Sequence, residues 1–181
     1  MWNTAGSSST AGWRGPGASD PDAPAIEVMA AILGADGSRL REALIGEWKV
    51  AVVTQARAEM NRDASLLWVA AALGADADSS TAERVLLDEV GRIAREPLGE
   101  AEVARARARL VTDALFASQP VRSRAAALGE ALFETGDPAA SDRRLAALER
   151  VTAADVQRVA QGLLVLPKRS LFWYVPAGEG R

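Results

Sequence analysis

The residues of this sequence that could carry out chemistry are carboxylates, arginines, hydroxyls and two lysines, because none of its 181 residues is histidine or cysteine. That removes imidazole bases, thiolate nucleophiles, disulfides, and the nitrogen and sulfur ligands that hold most transition metals. Carboxylates alone leave a hard-cation site as the one metal option, and Asp76, Asp78 and Ser80 are its best candidates. A calcium loop begun at Asp76 needs glycine and glutamate where Thr81 and Leu87 stand, so the run reads as a polar loop capping the next helix. A serine nucleophile would need a lysine base. Neither Lys49 nor Lys168 follows a serine at S-x-x-K spacing, and both read as solvated residues at strand starts. The paired-carboxylate route of glycosidases has 24 acidic residues to draw on, yet none stands in an aromatic-rich context. In the densest basic run, Arg105 and Arg109 share a helix face, Arg107 points away, and Asp113 faces Arg109 at i,i+4. The run is a solvated face rather than a binding patch. Trp48, Trp68 and Trp173 lie in or beside expected strands, where packing is their role.

Composition narrows the class further. A length of 181 residues suits one folded unit, and 49% hydrophobic with 25% charged residues supports a packed core. No apolar run approaches the ~20 residues of a membrane-spanning helix, so a membrane protein is not expected. The net charge of −3 argues against nucleic acid, which demands a dense basic field. A soluble protein is expected, periplasmic or cytoplasmic, with nothing in the sequence to choose between them.

The elements that must position these residues can be placed by period and punctuation. Met1 to Gly12 is a Gly/Ser/Thr/Ala mixture that reads as a disordered lead-in, leaving residues 13–181 as a single domain. Asp22 and Pro24 announce a helix whose stripe is Ile26, Met29, Ile32 and Leu33, with Gly34 as its C-terminal cap. A short helix follows from Ser38 to Ile45. Lys49–Glu59 and Leu66–Leu73 read as an antiparallel hairpin turning at Asn61–Asp63. Ser80 with Glu83 forms a capping box for a helix that Pro97 terminates. Helices over Glu100–Ser118 and Pro120–Thr135 come next, then a helical phase through Leu145, Leu148 and Val151. Thr152 and Asp155 open the last helix, and Ser170–Val175 is a closing strand. Strands on both sides of a helical block predict an α+β fold with one mixed, largely antiparallel sheet covered by helices.

Four segments, WRGPGASDPDAPAIEVMAAILG, SRLREAL, LGEAEVARARARL and VTAADVQRVAQGLL, together resemble the C-terminal domain of a half-unit of the pitrilysin/insulinase-type zinc metallopeptidases, the family of mitochondrial processing peptidase and its bacterial relatives. The resemblance runs from about Trp13 to Val175. It implies an enzyme in which zinc is held by an inverted H-x-x-E-H motif in the N-terminal domain of a half-unit, a motif this histidine-free chain cannot contain. It also implies an Arg/Tyr pair, seven positions apart after a Ser-Arg-Leu turn, that holds the substrate carbonyl. Alignment on Ser38, Arg39 and Leu40 puts those roles at Ile45 and Val52, and aliphatic side chains can neither donate a hydrogen bond nor balance an oxyanion. The family's strand before the Pro/Asp loop is replaced here by Gly/Ser-rich residues.

The resemblance therefore implies a non-catalytic domain of a zinc metallopeptidase, with no catalytic, cofactor or metal residues of its own. Such a domain lines a peptide-enclosing chamber, and its partners are a zinc-bearing N-terminal domain or subunit and, in the assembled enzyme, a peptide. A homo-oligomer is compatible with this. The alternative is a stand-alone inactive interaction module of the same ancestry.

Overall fold

In the computed structural model of the chain, which describes residues 7–175, the expected hairpin forms between Ala51–Glu59 (β2) and Ser65–Leu73 (β3). Its register sets Ala56 opposite Val69 and Arg57 opposite Trp68. Two further strands complete the sheet: β1, Ser8–Gly15, lies beside β3, and β4, Arg169–Tyr174, lies beside β1. The strand order is β2-β3-β1-β4, and every pairing is antiparallel. The expected α+β class holds.

The lead-in expected over residues 1–12 needs correction. Residues 1–6 lie outside the described residues, but from Ser8 the chain is an internal strand of the sheet. Its small side chains hide the alternation: Ser9, Ala11 and Trp13 are buried beneath the sheet, while Thr10 and Gly12 turn to the other face. A strand hydrogen-bonded on both sides takes its order from its neighbours, so weak intrinsic propensity is no bar.

Helix α1, Ala23–Gly34, is buried nearly all round, from Ala23 to Leu33, rather than along one stripe. It packs on β2, β3, α4 (Glu100–Ala117) and α7 (Ala153–Leu163), which explains why it is apolar on every side. Asp22 precedes it without capping it. Its carboxylate instead accepts from Arg158 at 2.7 and 3.1 Å, and its N–H donates to Asp20 Oδ1 at 2.8 Å.

Gly34 is not a left-handed cap either: it is the last residue of the helix, its φ is not positive, and a Cβ there would lie 2.8 Å from the carbonyl oxygen of Ala56 in β2. Its role is close approach of helix to strand. Gly34→Ala is expected to lower stability by about 1–3 kcal/mol through this overlap, outweighing the ~1 kcal/mol that alanine gains over glycine in a helix. At Gly91, an added Cβ meets only the mobile end of Arg95, so Gly91→Ala should be neutral or stabilising. Urea denaturation of both variants checks the contrast.

The second half of the chain is helical as expected, with local differences. Helix α3, Ser79–Arg95, is capped by Asp78, whose carboxylate accepts the Thr81 N–H at 2.9 Å and the Ser80 hydroxyl at 2.8 Å. The Ser80/Glu83 box does not form, since Glu83 accepts the Trp173 Nε1–H at 3.0 Å and thereby ties α3 to β4. Helix α4 leads to α5, Val121–Thr135, which closes on left-handed Gly136 (φ 77°). Ala140–Leu148 forms a separate α6, and Val151 falls in the loop beyond it. Arg107 is not a solvated residue: it donates to the carbonyls of Glu149 and Val151 at 2.9 and 2.8 Å. The Arg109–Asp113 pair is present at 3.7 Å. Thr152 and Asp155 form the reciprocal capping box that opens α7.

Ile26, Met29, Leu67, Val69, Leu86, Leu148 and Val156 fill the core between the helices and one face of the sheet. The opposite face presents Leu66, Phe172 and Tyr174 to solvent, the last two 64% and 60% exposed. Among the described residues no helix is long and apolar enough to cross a membrane.

Candidate functional site

Two regions hold the features from which a site could be built, and the first surrounds Ile45 and Val52. The Ser38 hydroxyl accepts the Arg41 N–H at 3.2 Å and starts α2, Arg39–Arg41, which continues as a π-helical turn over Glu42–Glu47. Leu40 and Leu44 anchor this segment in the core, while Arg39 reaches the carboxylates of Glu96 and Glu102 at 3.3 and 3.2 Å. The π turn carries Ile45, half-buried against the core. Lys49 then takes a left-handed conformation (φ 51°), and Val52 is the extra residue of a bulge between Ala51 and Val53. A bulge re-aims the side chain it carries, and Val52 is 58% exposed. Beside them Trp48 stacks on the Arg84 guanidinium, 4.9 Å from its ring centroid.

The backbone here is irregular in the manner of functional sites. Its side chains offer no proton donor at either position, so the pair can pack against a ligand but cannot polarise one. No cluster of three or more metal-ligating side chains occurs among the described residues.

The second region is a cleft of about 770 Å³ between α5 and the loop that leads into α1. Its floor is an ion pair. Arg144 of α6 grips the buried Glu27 carboxylate with both Nε, at 2.8 Å, and Nη2. Asp20 lies on one wall, Glu130 and Glu134 on the α5 wall. Burial pushes the Glu134 carboxyl above the usual range, the Glu130 charge adds to this, and Arg144 opposes it.

The other perturbed carboxylates belong to caps and ion pairs. Hydrogen bonds from Thr81 and Ser80 pull Asp78 down to about 2, Thr152 lowers Asp155, and Arg92 lowers Glu96. Sequence reasoning missed this cleft. The available signal was Glu27, a lone charge within the otherwise apolar α1, which burial obliges to find a partner.

Residues 4–110 match the sequence pattern described as the peptidase M16 inactive domain. The chain belongs to that family. Solved structures resemble this M16 inactive domain over nearly its full length. A protein from Bordetella pertussis assigned as a zinc protease is 25% identical at a TM-score of 0.87, with 94% of each chain covered. An inactive peptidase domain from Bordetella parapertussis, from a protein given the same assignment, is 24% identical at a TM-score of 0.90, covering 100% of this chain and 97% of that one. A protease from Helicobacter pylori shares the fold at 14% identity and a TM-score of 0.85; 97% of this chain matches 43% of that one. No curated protein sequence matches the M16 domain described here.

Proposed function

We propose that this M16 inactive domain is the non-catalytic part of a zinc metallopeptidase, lining the chamber that encloses the peptide and docking a zinc-bearing domain or subunit. Zinc belongs to that partner. The observation that carries the reading is the bare face of the sheet, where Leu66, Phe172 and Tyr174 surround small residues at Thr10, Gly12 and Ala70. Apolar side chains on a flat floor of small ones suit a protein partner, and a specific contact there would bury on the order of 1,000 Å². Trp68, on the same face, is half-buried and donates to Glu59 at 3.0 Å, so it stiffens the surface more than it enlarges it.

Sedimentation of the chain with a separately produced domain bearing the inverted H-x-x-E-H motif tests the proposal. A complex is expected, and Phe172→Ser with Tyr174→Ser should weaken it at least tenfold. A chain that stays monomeric and ignores that domain would overturn the chamber reading in favour of a stand-alone module.

In the same reading, Ile45 and Val52 stand where the catalytic Arg/Tyr pair would be. Ile45→Arg with Val52→Tyr should leave the isolated domain without peptidase activity, because positioning groups cannot replace a metal-activated nucleophile. A rate above that of the parent in a quenched-fluorescence peptide assay would show that the active centre has been misplaced.

A further inference from the structure

Helix α5 turns its most regular apolar surface away from the body of the domain. It packs mainly on α6, and Ala131 is its one buried residue. Val121, Ala125, Leu128 and Leu132 recur at spacings of four, three and four, which sets them in one row along the helix. The row faces solvent: Val121 is 86% exposed, Leu128 46% and Leu132 54%, and Ala125 is exposed as well. Leu115 and Phe116 at the end of α4 are also exposed, as is Phe133, next to Leu132. A helix of 15 residues is marginal in water on propensity alone and draws its stability from burying such a row.

The row is complementary to itself. Its spacings are those of the a and d positions of a coiled-coil seam. When two such helices run antiparallel about an axis between Ala126 and Ala127, Val121 meets Leu132 and Ala125 meets Leu128 of the other copy. Every layer is then apolar, and the small Ala125 leaves room for Leu128. Charge points the same way. Arg122 and Arg124 stand in the first turn of α5, and Glu130 and Glu134 in its second half, the reverse of what the helix dipole favours. Neither arginine forms an ion pair among the described residues. Antiparallel pairing lays the cationic end of each helix beside the carbonyl-bearing, acidic end of the other. The two axes would be about 8–10 Å apart, comparable to the screening length, so the ends attract although the glutamates turn toward the cleft. Arg122 would lie across from Gly129, which is exposed with open space around it, whereas parallel pairing would crowd the four arginines together.

We propose that α5 is the seam of a homodimer, in which two copies of this chain pair their α5 helices antiparallel about a two-fold axis between Ala126 and Ala127. The row, with Leu115, Phe116 and Phe133 at its margins, removes on the order of 1,000 Å² from water over the two copies, the low end for a specific contact. A dimer of micromolar affinity is therefore expected. The pairing uses none of the residues on the bare sheet face, so it does not depend on the docking of a zinc-bearing partner there.

Sedimentation of the whole chain between about 1 µM and about 200 µM should show monomers giving way to dimers. Leu128→Glu should weaken the dimer about tenfold or more, while Phe172→Ser with Tyr174→Ser leaves it unchanged. Leu128 is half exposed, so its replacement spares the fold, which circular dichroism checks. Orientation is read separately. Because the sequence has no cysteine, Gln119→Cys or Ala126→Cys places one spin label on each chain, both at exposed positions. By double electron–electron resonance, antiparallel helices set the Ala126 labels close across the axis and the Gln119 labels on the order of 10 Å further apart. Parallel helices would make the two distances equal. A chain that is monomeric at every concentration overturns the proposal, and so does a dimer that Leu128→Glu leaves intact or a pair of equal label distances. A chain that stays monomeric while a zinc-bearing domain shields Leu128 also overturns it, and assigns the α5 face to that partner.

Discussion

Replacing Arg144 with alanine is expected to lower the stability of the domain by about 2–4 kcal/mol. The partner left behind decides the size. Glu27 has a side chain only 7% exposed, set in an apolar helix, and Arg144 grips both its carboxylate oxygens. Without that guanidinium the carboxylate stays buried and uncompensated, the costly way to break a pair. Arg144 is itself 47% exposed, so water screens part of the interaction and the fully buried limit of ~5 kcal/mol is not reached.

Glu27→Gln in the Arg144→Ala background should recover much of the loss, and a double-mutant cycle in urea measures the recovery. A pH dependence follows, because Arg144 is also the cation that restrains Glu134. A carboxyl whose folded affinity for protons is raised contributes stability below the ordinary carboxylate range and loses it as pH rises through the raised value. Removing Arg144 raises that affinity further, so the deficit should be greatest at neutral pH and shrink on acidification. A deficit independent of pH would show that Arg144 acts through packing alone.

Ile26→Ala should cost about 2–5 kcal/mol, and Ile26→Val about 0.5–1.5 kcal/mol. Ile26 is fully buried, and its Cδ1 lies 3.1 Å from where a Cβ on Gly15 would stand, with Leu163 Cδ1 at 3.5 Å from the same point. The side chain thus fills the junction of β1, α1 and α7. These are backbone-framed walls that cannot collapse far into a void, which argues for the upper half of the range. Equilibrium unfolding of both variants gives the gradation, and equal losses would mean that the site relaxes around alanine.

The parts of this fold that local chemistry dictates were legible in the sequence. The Thr152/Asp155 box opens α7 where its spacing says, the helix expected over Pro120–Thr135 forms as α5, and the two runs either side of Asn61–Asp63 pair as a hairpin. What escaped was structure supplied by distant residues. The strand from Ser8 has little propensity of its own and exists because β3 and β4 flank it. Glu83 offered itself as a capping residue, but Trp173 claims it from β4. At the candidate site, Ile45 and Val52 could be singled out only by resemblance, and neither the π turn nor the bulge that carries them leaves a periodic signature. The cleft was invisible for the same reason as the Glu27–Arg144 pair: its walls come from segments more than a hundred residues apart.

The strand order joins the beginning of the chain to its end, and that has a consequence during synthesis. When β1, β2 and β3 have left the ribosome they can form a three-stranded sheet, but the outer side of β1 has no partner until α3 through α7 have been made and β4 emerges. For that interval a row of backbone amides and carbonyls stands open, able to template pairing with another nascent copy. The last strand is therefore a closing seal. A chain interrupted before Arg169 would keep most of its core and still carry a persistent invitation to aggregate.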